Sequence, residues 1–147
     1  MTGNKNENKN GIVQYIKEVN AELCKETKES NEVTELQMHK ILFFLYGRFY
    51  NQYKIELWQP NFEAWKLGPV ETNYRRNLEL VEPIDINQLS PDQKNELHRM
   101  TVKLLRTSVW QLVDFSHTLN SWINNQNKNN SKISKEEIQQ DFSTISF

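Results

Sequence analysis

At 147 residues the chain has the length of one ordinary domain, enough to bury about two-thirds of the surface its unfolded form exposes. Hydrophobic residues make up 37%, charged residues 25% and aromatics 11%, which suits a folded, soluble core under a very polar surface. A net charge of -1 draws the chain to neither nucleic acid nor anionic lipid, the single cysteine (Cys24) excludes a disulfide within the chain, and no apolar run approaches the roughly 18 residues of a membrane span.

Residues 1–10, MTGNKNENKN, offer nothing to bury and no apolar centre for a secretory leader, so a disordered start to a soluble, intracellular protein is expected. From Gly11 onward, Ile12, Ile16, Val19 and Leu23 recur at helical spacing while Lys17, Glu18, Glu22 and Lys25 fall opposite. That predicts an amphipathic helix of about fifteen residues, on which Cys24 reads as a small core residue. The polar run KETKESNE is a connector. Thr34 with Gln37 then forms a capping box, and Met38, Ile41, Leu42, Leu45 and Phe49 make one stripe of the next helix. Phe43, Phe44 and Tyr46 carry the apolar surface most of the way round, so this helix belongs at the centre of the domain. Gly47 interrupts it and marks close packing.

Tyr53, Ile55 and Leu57 alternate with Lys54 and Glu56, a period-two pattern that predicts a strand over 53–58. Pro60-Asn61 signals a turn, and Phe62, Ala64 and Lys66 begin a second extended piece. The result is a small hairpin that must lie on the core helix to be stable. Gly68-Pro69 ends it, with Pro69 placed as the first residue of a helix running through Tyr74 and Arg75 to about Leu80. Residues 82–89 read as a loop or short extended segment. Ser90-Pro91-Asp92-Gln93 opens a helix with Leu97, Met100, Leu104 and Leu105 inward; Thr107-Ser108 recaps the chain, and Val109, Leu112, Val113 and Ser116 form a fresh stripe. Residues 124–132, NNQNKNNSK, read as a mobile loop. Ser134 with Glu137 starts a short helix carrying Ile138 and Phe142, and 143–147 form a tail. The expected fold is mainly α: a compact helical domain over 11–142 around a central apolar helix, with a small β-hairpin.

Chemistry is sparse. The three histidines, His39, His98 and His117, sit on different predicted helices without a second ligand at metal spacing, and four glycines cannot write a phosphate-binding loop. No metal or cofactor is expected. Cys24 with a distant histidine makes a poor nucleophile pair, because an apolar helix face is the wrong setting for a reactive thiol. Glu63, between Phe62 and Trp65, is an acid–base candidate if desolvated; otherwise it faces solvent or accepts backbone N–H groups from the following helix. Arg48, Lys54, Lys66, Arg75 and Arg76 give this region a mild positive balance. Tyr46, Tyr50, Tyr53, Trp58, Trp65 and Tyr74 exceed what a small core needs, and Tyr, Trp and Arg dominate interface hot spots.

Four stretches carry a family resemblance: Leu36 to Gly47 (LQMHKILFFLYG); Phe62 to Val70 (FEAWKLGPV) with Tyr74-Arg75; Leu112 to His117 (LVDFSH) followed by Trp122; and ISKEEIQQDF. Together they resemble the Panacea domain, also described as SocA-like, over Val33 to Phe142. The resemblance implies a cytoplasmic bacterial or phage antitoxin that neutralises a toxin encoded beside it by direct binding, without enzymatic activity or a cofactor. In this chain the family motif falls on Glu63, Ala64, Trp65, Gly68, Pro69 and Val70, with Ser116, His117 and Trp122 as a second landmark. Trp58, Glu63, Trp65, Tyr74, Arg75 and Arg76 are the expected partner contacts. Ala64, Gly68, Pro69, Val70, Ser116, His117 and Trp122 are expected to hold the fold. The alternatives are a proteolytic adaptor, a phage or mobile-element protein that binds host machinery, and, third, an enzyme using Glu63 and His117. Membrane is not an expected partner, and nucleic acid is disfavoured as a direct ligand.

Overall fold

Helix α2, Glu35–Tyr53, lies inside the molecule, and the other elements are laid over it. The computed structural model describes residues 11–29, 31–129 and 131–145; the expected disordered stretch 1–10 lies outside them. Among the described residues the elements are α1 (Gly11–Thr27), α2, strands β1 (Phe62–Trp65) and β2 (Gly68–Glu71), and a single turn α3 (Thr72–Arg75). A 3-10 turn at Ile86–Gln88 leads to α4 (Pro91–Leu105), α5 (Val109–Ser116), α6 (Asn120–Ile123) and α7 (Lys135–Phe142). The fold is mainly α with one antiparallel hairpin, as the sequence predicts.

The three capping boxes form as expected. Thr34, Ser90 and Ser134 each accept from the backbone N–H three residues on and receive a Gln or Glu side chain in return, satisfying amides that a helix start otherwise leaves unpaired. Ser108 caps α5 by accepting from Trp110 N. In α2, every residue from Met38 to Gly47 is buried, and Phe49 with them. Gly47 has a packing reason: a Cβ there would run into the ring of Phe142 from α7. Phe142 also stands 5.8 Å from the ring centres of both Phe43 and Phe44. Helix α1 buries Ile12, Val13, Ile16 and Val19, whereas Cys24 is only half-buried and donates to Asn31 O (3.4 Å) instead of filling the core.

Three local expectations are corrected. Residues 53–58 do not form a strand: α2 continues to Tyr53, and Lys54 ends it in the left-handed region (φ 57°), its N–H bonded back to Phe49 and Tyr50 O. Leu57 and Trp58 then drop into the core from irregular chain. The hairpin therefore forms one piece later, with Phe62 opposite Glu71 and Trp65 opposite Gly68 across a Lys66-Leu67 turn. Gly68 takes the positive φ of 109° that closes this turn. Finally, Gly68-Pro69 opens β2 rather than a helix. Ala64 N–H bonds Ser131 O (3.0 Å), so the Ala64–Pro69 pair shares no ladder bond and the missing proline N–H costs nothing. The helix predicted to reach Leu80 shrinks to one turn, capped by Glu71.

Both outer edges of the hairpin are occupied. Along β1, Ser131 O accepts from Ala64 and Ile133 N donates to Phe62 O (2.8 Å), so the end of the Asn-rich segment is strapped to the sheet. The start of that segment is held through buried Asn125, which donates to Ser121 O and Glu137 and accepts from Ser131 Oγ. Along β2, the outward groups meet the core helix: Glu71 N–H donates to His39 Nδ1 (3.1 Å) and Lys40 Nζ donates to Pro69 O (2.9 Å).

Candidate functional site

The hairpin separates its residues by alternation. Phe62 and Ala64 are fully buried against α2, while Glu63 and Trp65 stand on the other face, half-buried. The chain then turns through α3, which brings Thr72, Arg75 and Arg76 beside them. Glu63, Trp65, Thr72, Arg75 and Arg76 line one open hollow of ≈ 460 Å³. Four of the six expected partner residues thus come together. Tyr74 lies on the adjoining ridge and lines a second hollow of ≈ 570 Å³ with Lys17, Ala21, Cys24, Lys28 and Val33.

Trp58 is the exception and corrects the expectation. It is fully buried, packed against Tyr46 and Phe62, and its Nε1–H donates to Glu71 Oε2 (2.8 Å), so no partner can reach it.

Glu63 follows neither of its expected alternatives fully. Its Oε1 accepts from the indole N–H of Trp65 (2.9 Å), which fixes both side chains on the rim of the hollow. The carboxylate at the following turn is Glu71, which sequence reading missed. Glu71 is fully buried, caps Asn73 N (2.8 Å), and also accepts from Asn61 N (3.1 Å) and Trp58 Nε1. Burial pushes its carboxyl above the ordinary value, with hydrogen bonds from Trp58 and from the backbone of Asn73, Asn61 and Tyr74 opposing that shift.

Beneath the hollow a chain of contacts runs from the core helix to Arg75. His39 Nδ1 accepts from Glu71 N–H, so the ring proton sits on Nε2 and is donated to Glu35 Oε2 (3.2 Å). The same Glu35 oxygen is 3.2 Å from Arg75 Nε. Burial holds the His39 pKa below its ordinary value; Lys40 and Arg75 add to this and Glu35 opposes it. The ring of Tyr74 stands edge-on to His39 at 5.4 Å. The one sequence signal for this relay is a polar pair, His39-Lys40, in an otherwise apolar helix.

The second landmark grips the turn of the hairpin from outside. Trp122 Nε1–H donates to Trp65 O (2.7 Å), His117 Nε2–H donates to Lys66 O (3.1 Å), and the two rings stack at 4.0 Å. Ser116 is buried, donates to Val113 O (2.7 Å), and lies beneath Gly68. Val70 and Pro69 are buried in β2. Lys40 and Ser116 both lie against Gly68, and both are buried. Glu63 and His117 bond to different partners on the hairpin and share none. No group of acids, histidines and cysteine that could hold a metal ion, and no helix long and apolar enough to cross a membrane, occurs among the described residues. No protein-family model, curated protein or solved structure matches the chain.

Proposed function

We propose that this protein is a Panacea-like antitoxin of the bacterial or phage cytoplasm, neutralising a toxin encoded by a neighbouring gene through direct contact at the hairpin face. One observation carries the reading: Glu63, Trp65, Arg75 and Arg76, four of the expected partner contacts, line a single open hollow held from beneath by α2. Motif residues without a place on that surface have another task. Ala64, Gly68, Pro69, Ser116, His117 and Trp122 anchor the hairpin that presents it. Aromatic and arginine side chains on a rigid support are the usual anchors of protein interfaces.

Co-expression tests this directly. Induction of the neighbouring gene alone should arrest growth, and joint induction with this chain should restore it and yield a co-purifying complex. Trp65→Ala should abolish rescue while leaving a folded protein, since its ring is half-exposed. Absence of toxicity would overturn the reading. Rescue accompanied by loss of the partner would instead assign the chain to proteolytic delivery.

A further inference from the structure

A hairpin presented to a partner usually invites strand addition, in which the partner's backbone pairs with a free sheet edge. Here neither edge is free. Residues 131–133 run along β1, and on β2 the outward Glu71 N–H and Pro69 C=O are taken by His39 and Lys40. Pro69 has no N–H to offer. Recognition at this site must therefore use side chains across the face of the hairpin.

The hollow's free chemistry is narrow. Glu63 is occupied by the Trp65 indole, and Arg75 is paired with Glu35. Arg76 is exposed, and among the described residues no carboxylate lies within ion-pair range of it. Of the side chains lining the hollow, Arg76 alone has neither an ion pair nor a side-chain hydrogen bond among the described residues, and it shares the hollow with the half-exposed Trp65 ring. A guanidinium binds a carboxylate through two parallel N–H···O bonds, and an indole covers an apolar neighbour. A phosphate polymer fits less well, because it draws its affinity from several cations at once and the hollow offers one unpaired guanidinium, whereas a single carboxylate needs only one.

Resting on the reading that the hairpin face meets a protein partner, we propose that it docks an acidic segment of that partner, with an Asp or Glu carboxylate on Arg76 and an adjacent aromatic side chain on Trp65. Docking is side-on, without strand addition.

The test uses the full chain, labelled with nitrogen-15, and reads the Trp65 indole N–H resonance, identified by its absence in Trp65→Phe. The probe is the peptide acetyl-Gly-Glu-Phe-Glu-Gly-amide, and its counterpart has lysine in place of both glutamates. The acidic peptide should shift this resonance, the more so at low salt; Arg76→Glu should weaken binding about tenfold or more, and the exposed control Arg106→Glu should leave it unchanged. The lysine peptide should leave the resonance in place. No shift at about 10 mM acidic peptide, an equal shift with the lysine peptide, or unchanged binding in Arg76→Glu overturns the proposal. So does an oligothymidylate that shifts the same resonance at lower concentration than the peptide. The two readings fail separately: peptide binding by a chain that does not rescue growth sinks only the antitoxin reading, and rescue that survives Arg76→Glu sinks only this one.

Discussion

Gly68 closes the hairpin in a backbone conformation that suits glycine alone. Its φ of 109° lies where an L side chain is strained, and a Cβ there would come within 2.6 Å of Ser116 Oγ and 2.9 Å of Lys40 Cε. Gly68→Ala should therefore destabilise the protein by roughly 2–4 kcal/mol, combining backbone strain with overpacking, as a lowered urea midpoint will show. An unchanged midpoint would mean that Lys40 and Ser116 can yield. That Gly68-Pro69 is a special position is legible in the sequence, but its role is not: the pair reads as the end of the hairpin and instead opens β2. Glu71 is not legible, because its donors Trp58 and Asn61 come from irregular chain that no periodicity places. Arg76 shows only as one of two adjacent arginines; which of them Glu35 occupies depends on how α3 turns.

The helices were readable where their signals are local. Capping boxes join residues three apart, and the apolar run of α2 identifies a core helix by itself. The hairpin was displaced because Tyr53, Ile55 and Leu57 alternate for different reasons: Tyr53 is the last residue of a helix and Leu57 is a core side chain on irregular chain. Alternation over so few residues does not separate a strand from that arrangement. The pairing that fixes the hairpin, His39 and Lys40 against β2, spans 32 and 29 residues and leaves no trace in local spacing. Gly47 offers a test of which force dominates in α2. Helix propensity alone favours Gly47→Ala by about 1 kcal/mol. The Phe142 ring blocks that methyl group, so the substitution should instead lower the thermal midpoint, at a cost of about 1–3 kcal/mol. A raised midpoint would show that α7 shifts freely.

Lys40 joins three parts of the molecule: it belongs to α2, bonds β2 through Pro69 O, and lies under Gly68 near Ser116 of α5. Lysine is rarely fully buried without a counter-charge, and burial lowers this amine from 10.5 to about 8. Between those values the unfolded chain holds a proton that the folded chain has released, so this group makes stability rise with pH from about 8 toward 10.5. Below about 8 the amine is charged in both states and that contribution is absent. Lys40→Met removes the dependence, although it leaves Pro69 O without its donor by a constant amount. The stability of the natural protein minus that of Lys40→Met should grow across this window in chemical denaturation followed by circular dichroism. Parallel curves would place the amine's titration elsewhere. The buried tyrosines, whose phenols burial pushes up, affect both proteins alike and cancel in the difference.

The contact between α2 and α7 also sets an order in time. Phe142 closes over Phe43, Phe44 and Gly47, and its carbonyl accepts from Asn51, a residue 91 positions earlier. Synthesis delivers α2 early and α7 last among the described elements. Until α7 is made, the central helix therefore lacks this cover, and a ribosome stalled before Ile138 holds a chain whose aromatic centre is open to chaperones and proteases.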